Sequence, residues 1–80
     1  MGKTRQTSAD YMEEIALDLP TRIEHYRRAL TVPELAEMTA ISDKQIYSLI
    51  KRGSLPYYRI ASSIRFDPKT TADWLRSQTA

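Results

Sequence analysis

The pattern of apolar and polar positions between Thr31 and Lys51 predicts two short helices joined by a turn of about three residues. Each helix is predicted to open on a hydroxyl residue followed three positions later by Glu or Gln, which is the signature of a capping box. The two pairs are Thr31–Glu34 and Ser42–Gln45. The predicted inward positions are Leu35, Ala36, Thr39, Ile41, Ile46, Leu49 and Ile50. This spacing favours a helix-turn-helix, although a generic helical hairpin would bury the same residues.

Two segments precede this pair of helices. Residues 1–7 are polar and lack periodicity, which predicts a disordered tail. Residues 8–29 are predicted to form a helical arm, because Tyr11, Ile15 and Leu19 recur at helical spacing. The arm has two interpretations, which the sequence leaves open. It either packs on its own domain as additional core or contacts a second copy or another protein.

The first helix of this arm is predicted over Ser8–Leu19, and Pro20 is expected either to end it or to bend the chain. The spacing from Pro20 to Leu30 predicts a second short helix, in which Glu24 and Arg28 would form an i, i+4 ion pair. His25, the only histidine, lies in this charged segment without a cysteine or a second histidine. We therefore expect its imidazole to face solvent rather than to bind a metal or to act as a base.

The chain after the second helix predicts a turn and then a β-hairpin. Gly53 fits the left-handed position that ends many helices. Residues 57–66 alternate in a way that predicts two strands, joined by a three-residue loop at residues 61–63. A two-residue loop at Ser62–Ser63 would mix the two faces, so the three-residue loop is preferred. The predicted cross-strand pairs are Ile60–Ile64, Tyr58–Phe66 and Arg59–Arg65.

The predicted register has an electrostatic consequence. Arg59 and Arg65 would lie directly opposite each other, and like charges so placed repel. An anion between or beside the two guanidinium groups would relieve the repulsion, so we expect a phosphate contact at the hairpin. In the alternative interpretation, both side chains extend into water.

A last helix is predicted from Asp67 to about Ser77. Asp67 suits the N-cap and Pro68 the first helical position. Trp74 is the only tryptophan of the chain, and we expect it to anchor this helix in the core.

Length and composition exclude several classes of protein. A chain of 80 residues is expected to form one domain. The absence of cysteine excludes disulfides, thiolate metal sites and a thiol nucleophile. No glycine-rich phosphate loop, metal-ligand cluster or nucleophile motif is present, so we expect no enzyme activity, no cofactor and no metal. There is no apolar run of membrane-spanning length and no secretory signal, so a cytoplasmic location is expected.

Positive charge is concentrated in one part of the chain. The whole chain has a formal net charge of +2, whereas residues 42–66 carry five Lys and Arg against one Asp, giving +4. The five cations are Lys44, Lys51, Arg52, Arg59 and Arg65, and the acid is Asp43. A local basic surface on a small domain favours a polyanionic partner.

Several short motifs follow one another in a recognisable order. They are Leu30-Thr31-Val32-Pro33-Glu34-Leu35-Ala36, Ile41-Ser42, Ile46-Tyr47, Leu49-Ile50, Arg52-Gly53-Ser54-Leu55-Pro56, Tyr58-Arg59-Ile60, Arg65-Phe66-Asp67 and Asp73-Trp74-Leu75. In this order, over about residues 30–76, the chain resembles the excisionase-type branch of the MerR-like winged-helix DNA-binding domains. The chain departs from that family at Ala61, where a glycine is common, at the uncharged hairpin tip and, more mildly, at Ala40 in the turn.

The resemblance implies a mainly α fold with a small β-hairpin, a winged helix-turn-helix over residues 30–77. The helical arm that precedes it lies outside the resemblance and is predicted from residue spacing alone. It implies that the second helix enters the major groove and that the hairpin is a wing at the backbone or minor groove. The family includes phage and transposon excisionases and small transcriptional regulators. The expected function is sequence-specific binding of double-stranded DNA by a recombination directionality factor or a transcriptional regulator of a mobile element. The alternative is a protein–protein interaction module that keeps this fold without binding DNA.

The candidate DNA-contact residues on the second helix are those whose side chains are not required for the predicted core. Lys44, Gln45 and Ser48 are expected to face base edges, since Gln suits adenine and Lys suits guanine. The expected phosphate contacts are Tyr47, Lys51, Arg52, Arg59 and Arg65, and the expected wing tip is Ser62 and Ser63. The alternative for Tyr47 is a half-buried position under the wing. The helix N-termini at Thr31 and Ser42 are expected to offer N–H groups to phosphate. Besides DNA, a recombinase or a second copy is expected to bind through residues 8–30.

Overall fold

The computed structural model describes residues 17–78, and this part of the chain contains helices and one antiparallel hairpin. The helices are α1 (Leu19–Glu24), α2 (Val32–Thr39), α3 (Asp43–Lys51) and α4 (Pro68–Arg76), and the strands are β1 (Tyr58–Ile60) and β2 (Ser63–Arg65). A mainly helical domain with a two-stranded hairpin confirms the predicted winged helix-turn-helix class. The tail predicted over residues 1–7 lies outside the described residues, and so do residues 8–16 of the helix predicted over Ser8–Leu19. Leu17 and Asp18, within that predicted span, are described and are not helical.

Both predicted capping boxes are present. At α2, the Thr31 hydroxyl accepts a hydrogen bond from the Glu34 N–H at 3.2 Å, and the Glu34 carboxylate accepts from the Thr31 N–H at 2.9 Å. At α3, Ser42 and Gln45 make the same reciprocal pair of bonds, at 3.1 and 2.9 Å. Asp67 caps α4 as predicted, through a 2.8 Å bond from the backbone N–H of Thr70. Short-range sequence signals therefore locate the start of each of these three helices.

The turn between α2 and α3 consists of Ala40–Ser42, the predicted length. Ala40 has the left-handed angles φ 60 and ψ 33. Its N–H donates to the Glu37 carbonyl at 3.4 Å, while the N–H of Ile41 donates to the Ala36 carbonyl at 3.2 Å. These two bonds form a Schellman motif, which reverses the chain so that α3 can pack against α2.

Helix α3 ends in the same motif. The N–H of Gly53 donates to the Ile50 carbonyl at 2.9 Å, and the N–H of Ser54 donates to the Leu49 carbonyl at 3.0 Å. Gly53 has φ +72, which confirms the left-handed position predicted for it. Leu55 follows at once and is buried, so it covers the end of the helix.

Exchanging the residues at the two left-handed positions is expected to change stability in opposite directions. A Cβ at Gly53 would meet no atom within 4 Å, so Gly53→Ala adds backbone strain alone and should lower the free energy of unfolding by about 1 kcal/mol. Ala40→Gly removes the same strain and should raise that free energy by up to about 1 kcal/mol. Urea unfolding of both variants measures the two effects. Shifts of the same sign would show that the left-handed backbone does not control stability here.

The core gathers apolar side chains from helices and from the segments between them. Ile23, Leu30 and Phe66 are completely buried, and Phe66 is the largest fully buried side chain. Trp74 is half-buried and packs against this cluster. The other buried apolar residues are Val32, Leu35, Ala36, Ile46, Leu55 and Ala72. The main anchor among the described residues is therefore Phe66, at the end of the hairpin, rather than Trp74.

Helix α1 differs from the prediction for this part of the arm. Pro20 is its second residue, not the stop of an earlier helix, because a missing N–H costs nothing in a first turn. The helix ends at Glu24, so the predicted extension to Leu30 is wrong. Leu30 instead exchanges two 2.9 Å backbone hydrogen bonds with Phe66, beside β2.

The ion pairs of this segment are also not the predicted one. Because α1 ends at Glu24, Arg28 is no longer one helical turn away from it. Glu24 pairs with Arg76 at 2.7 Å, which joins α1 to α4. Arg28 pairs with Glu34 on α2, and that carboxylate also accepts a bond from the Tyr26 hydroxyl at 3.1 Å.

The predicted hairpin register is wrong. The observed partners are Tyr58–Arg65, Arg59–Ile64 and Ile60–Ser63. The loop is the two-residue turn Ala61–Ser62, with φ 50 and φ 70, so Ser63 belongs to β2 and the wing tip is Ala61–Ser62. A turn with two positive φ angles matches the right-handed twist of the strands.

The register differs from the prediction because β1 has no buried face, whereas the predicted pairing requires one. All three residues of β1 are exposed, so no buried face fixes its register. The turn decides the register instead, and it shifts the partners of β1 by one residue from those predicted. Arg59 and Arg65 are consequently not cross-strand partners, and the predicted repulsion between them does not arise. Their side chains lie on opposite faces of the hairpin, because Arg59 shares a face with Ile64 and Arg65 shares one with Tyr58.

Candidate nucleic-acid interface

One side of α3 is free of the core. Ile46 is buried and defines the inward direction of the helix. At about 100° per residue, Lys44, Ser48 and Lys51 lie on the opposite side, and all three are exposed. Tyr47 and Gln45 lie on opposite flanks of this outward stripe, and both are exposed.

A shallow groove of about 270 Å³ runs between the start of α2, the flank of α3 and the hairpin. Its lining residues are Thr31, Val32, Pro33, Tyr47, Arg59, Ser62, Ser63, Ile64 and Arg65. The lining residues include Arg59, Arg65 and three residues with aliphatic hydroxyls but no Asp or Glu, and the observed register places the two arginine side chains on opposite faces of the hairpin. The groove therefore has the charge and the hydrogen-bond donors that suit an anion.

The two arginines of this groove are held differently. Arg65 is half-buried, and its Nη1 donates to the Ile64 carbonyl at 2.8 Å. Arg59 is exposed, with its guanidinium carbon 6.0 Å from the centre of the Tyr57 ring. Among the described residues, neither guanidinium forms an ion pair with a carboxylate. Both charges are thus available to an external anion.

The N-terminus of α2 contributes less to this groove than the sequence indicated. The N–H of Thr31 is bonded to Glu34, and the N–H of Glu34 is bonded to Thr31. Pro33 has no N–H, so the first turn leaves only that of Val32 for a ligand. The bond from the Thr31 N–H also lowers the pKa of Glu34, which keeps this carboxylate charged at neutral pH.

The structure brings together some predicted contact residues and separates others. Tyr47, Arg59, Arg65, Ser62 and Ser63 line the groove. Lys44, Ser48 and Lys51 form the adjoining outward stripe of α3, whereas Gln45 lies on the flank away from Tyr47. Arg52 follows α3 directly and is exposed. The groove residues Val32 and Pro33 were not predicted, since sequence spacing does not show that the start of α2 lies beside the hairpin.

A larger concavity, about 850 Å³, lies between α1 and α2. Arg22, Arg27 and Arg28 line it together with Glu34 and Glu37, so its charge is mixed. His25 also borders it and is exposed, as predicted. Within residues 17–78, no group of three metal-binding side chains was found.

Comparison with protein families gives a match over more than half of the chain. Residues 29–79 match a family described as a helix-turn-helix domain. Comparison with curated proteins gave no match, and neither did comparison with solved structures. No helix in the described part of the chain is both long and apolar enough to cross a membrane.

Proposed function

Because this chain belongs to the helix-turn-helix domain family, we propose that it binds double-stranded DNA sequence-specifically as a small excisionase-like protein. A helix-turn-helix domain implies DNA as a partner, and the family is typically not enzymatic. In this proposal the protein acts as a recombination directionality factor or as a transcriptional regulator of a mobile element. The cytoplasm, where it would associate with the nucleoid, is the corresponding location.

One observation supports this proposal above the others. The outward stripe of α3 adjoins a groove that has no Asp or Glu in its lining and is bordered by two arginines, neither of which forms an ion pair with a carboxylate among the described residues. A helix in the major groove has the DNA backbone on either side of it, so the stripe and the groove would meet bases and phosphates together. Lys44, Gln45 and Ser48 would face base edges. Tyr47, Lys51, Arg52, Arg59 and Arg65 would contact phosphates.

The hairpin acts in this proposal as a wing that grips the backbone. Its tip, Ala61–Ser62, has no cation with which to enter the minor groove. Arg59 and Arg65 lie behind the tip and line the groove beside Tyr47. The wing therefore adds affinity for any duplex, while α3 supplies the discrimination between sequences.

A single domain of this size contacts few base pairs, so useful affinity requires a second binding event. We propose that a second copy or a recombinase supplies it through residues 8–30. Ile23 and Leu30 are already buried in the core of this domain, so such a partner would meet the exposed residues of this region, among them Arg27 and His25.

The salt dependence of binding to a random-sequence duplex tests this function. Four cations on phosphates, Lys51, Arg52, Arg59 and Arg65, should give a slope of log affinity against log salt of about −3 to −4 per bound chain. Fluorescence anisotropy between low and physiological salt measures that slope. If the protein does not bind the duplex even at low salt, the proposed DNA binding is wrong.

A protein–protein interaction module is the second candidate. The observation that favours it is an exposed apolar pair on the wing, Tyr58 at 59% and Ile60 at 56%. These side chains share one face of β1, since successive residues of a strand alternate in direction. If the anisotropy experiment shows no binding to duplex DNA, that result would favour the interaction module.

A further inference from the structure

We propose that Gln45 meets DNA as a hydrogen-bond donor alone, so that it selects guanine over adenine at the base pair it faces. This inference depends on the proposed function, because it concerns how α3 distinguishes sequences. It also replaces the expectation that the Gln45 amide pairs with adenine.

The capping box at the start of α3 fixes the orientation of this amide. The backbone N–H of Ser42 donates to Oε1 of Gln45 at 2.9 Å, and the Ser42 hydroxyl lies 3.3 Å from the same oxygen. A backbone N–H can only donate, so the amide oxygen and not its nitrogen must face Ser42. The NH₂ group lies on the other side of the amide carbon, and Gln45 is exposed.

This orientation leaves one kind of hydrogen bond for DNA. Bidentate pairing with adenine requires the glutamine oxygen to accept from N6 while the nitrogen donates to N7. The amide oxygen of Gln45 has two lone pairs, and the Ser42 N–H and the Ser42 hydroxyl donate to it at 2.9 and 3.3 Å. A bond from adenine N6 would therefore have to displace one of these two donors at the helix end. Guanine presents two acceptors, O6 and N7, and both can receive the free NH₂ group. Guanine should therefore be preferred over adenine roughly tenfold.

The substitution Gln45→Glu separates the role of this residue in the fold from its role in recognition. Glutamate at this position also completes a capping box, so α3 should keep its N-terminus. Glutamate has no proton to donate, but it can accept one from N4 of cytosine. Selection of bound sites from a random duplex pool with the full chain should give guanine at one position for the native protein. Cytosine should take that position for Gln45→Glu, with the other positions unchanged.

Gln78→Glu is the matched control, because it makes the same chemical change at an exposed residue beyond α4. It should lower affinity slightly through its added charge and should select the same sites as the native protein. Two results would overturn this inference and leave the proposed function intact. The native protein could select adenine at the position that responds to Gln45→Glu, or the variant and the native protein could select identical sites. Failure of the native protein to bind any duplex would overturn the proposed function together with it.

Discussion

Replacing Ile23 by alanine is expected to lower the free energy of unfolding by about 2–5 kcal/mol. Ile23 lies before the segment that matches the helix-turn-helix family, yet it is completely buried in the same core. Removing its three terminal carbons leaves a cavity that the surrounding side chains fill only in part. A domain of this size has a total stability on the order of 3–5 kcal/mol, so the variant should be largely unfolded. Circular dichroism during urea titration measures the change.

Two further substitutions show whether burial causes this loss. Ile23→Val removes one methylene and should cost about 0.5–1.5 kcal/mol. Ile60→Ala is the same chemical change as the first variant at a side chain that is 56% exposed, and it should stay within about 0.5 kcal/mol. Equal losses for Ile23→Ala and Ile60→Ala would mean that α1 is not part of the cooperative core.

Removing both groove arginines should weaken binding to every duplex. The double variant Arg59→Ala, Arg65→Ala loses two phosphate contacts, so its salt slope should fall by about two units. At about 0.1 M salt this corresponds to a loss of affinity of roughly 10- to 100-fold, whatever the sequence. Each single variant should lower the slope by about one unit. Fluorescence anisotropy with a random and a selected duplex measures both quantities.

Lys69→Ala serves as the control for charge alone. Lys69 is exposed on α4, and it neither lines the groove beside the hairpin nor lies in residues 8–30. The substitution removes one positive charge from the same domain and should leave the salt slope nearly unchanged. If Lys69→Ala lowers the slope as much as Arg59→Ala does, then net charge and not the groove controls binding.

The Arg59→Ala and Arg65→Ala variants should unfold with nearly the same free energy as the native protein. Arg59 is exposed, and the half-buried Arg65 donates to the carbonyl of its neighbour Ile64 rather than to another element. Within the described residues, neither side chain forms an ion pair with a carboxylate. Loss of DNA affinity with native stability would therefore assign the effect to the contact itself.

Local signals in the sequence determined most of the helical skeleton. The capping boxes at Thr31 and Ser42, the cap at Asp67 and the left-handed Gly53 are all observed where they were predicted. Each of these features depends on residues within one or two helical turns, so spacing alone specifies it. The same spacing identified the inward side of α3 and hence its exposed side.

Tertiary structure decided the register of the hairpin and the lining of the groove. β1 is exposed on both faces, so its residue pattern could not choose between registers, and the turn at Ala61–Ser62 made the choice. Leu30, which the predicted second helix of the arm would have contained, instead exchanges backbone hydrogen bonds with Phe66, a residue far along the chain. Such long-range contacts leave no periodic trace in the sequence. The sequence by itself therefore determined where α2, α3 and α4 begin, while packing decided which of their residues share one surface with the arginines of the wing.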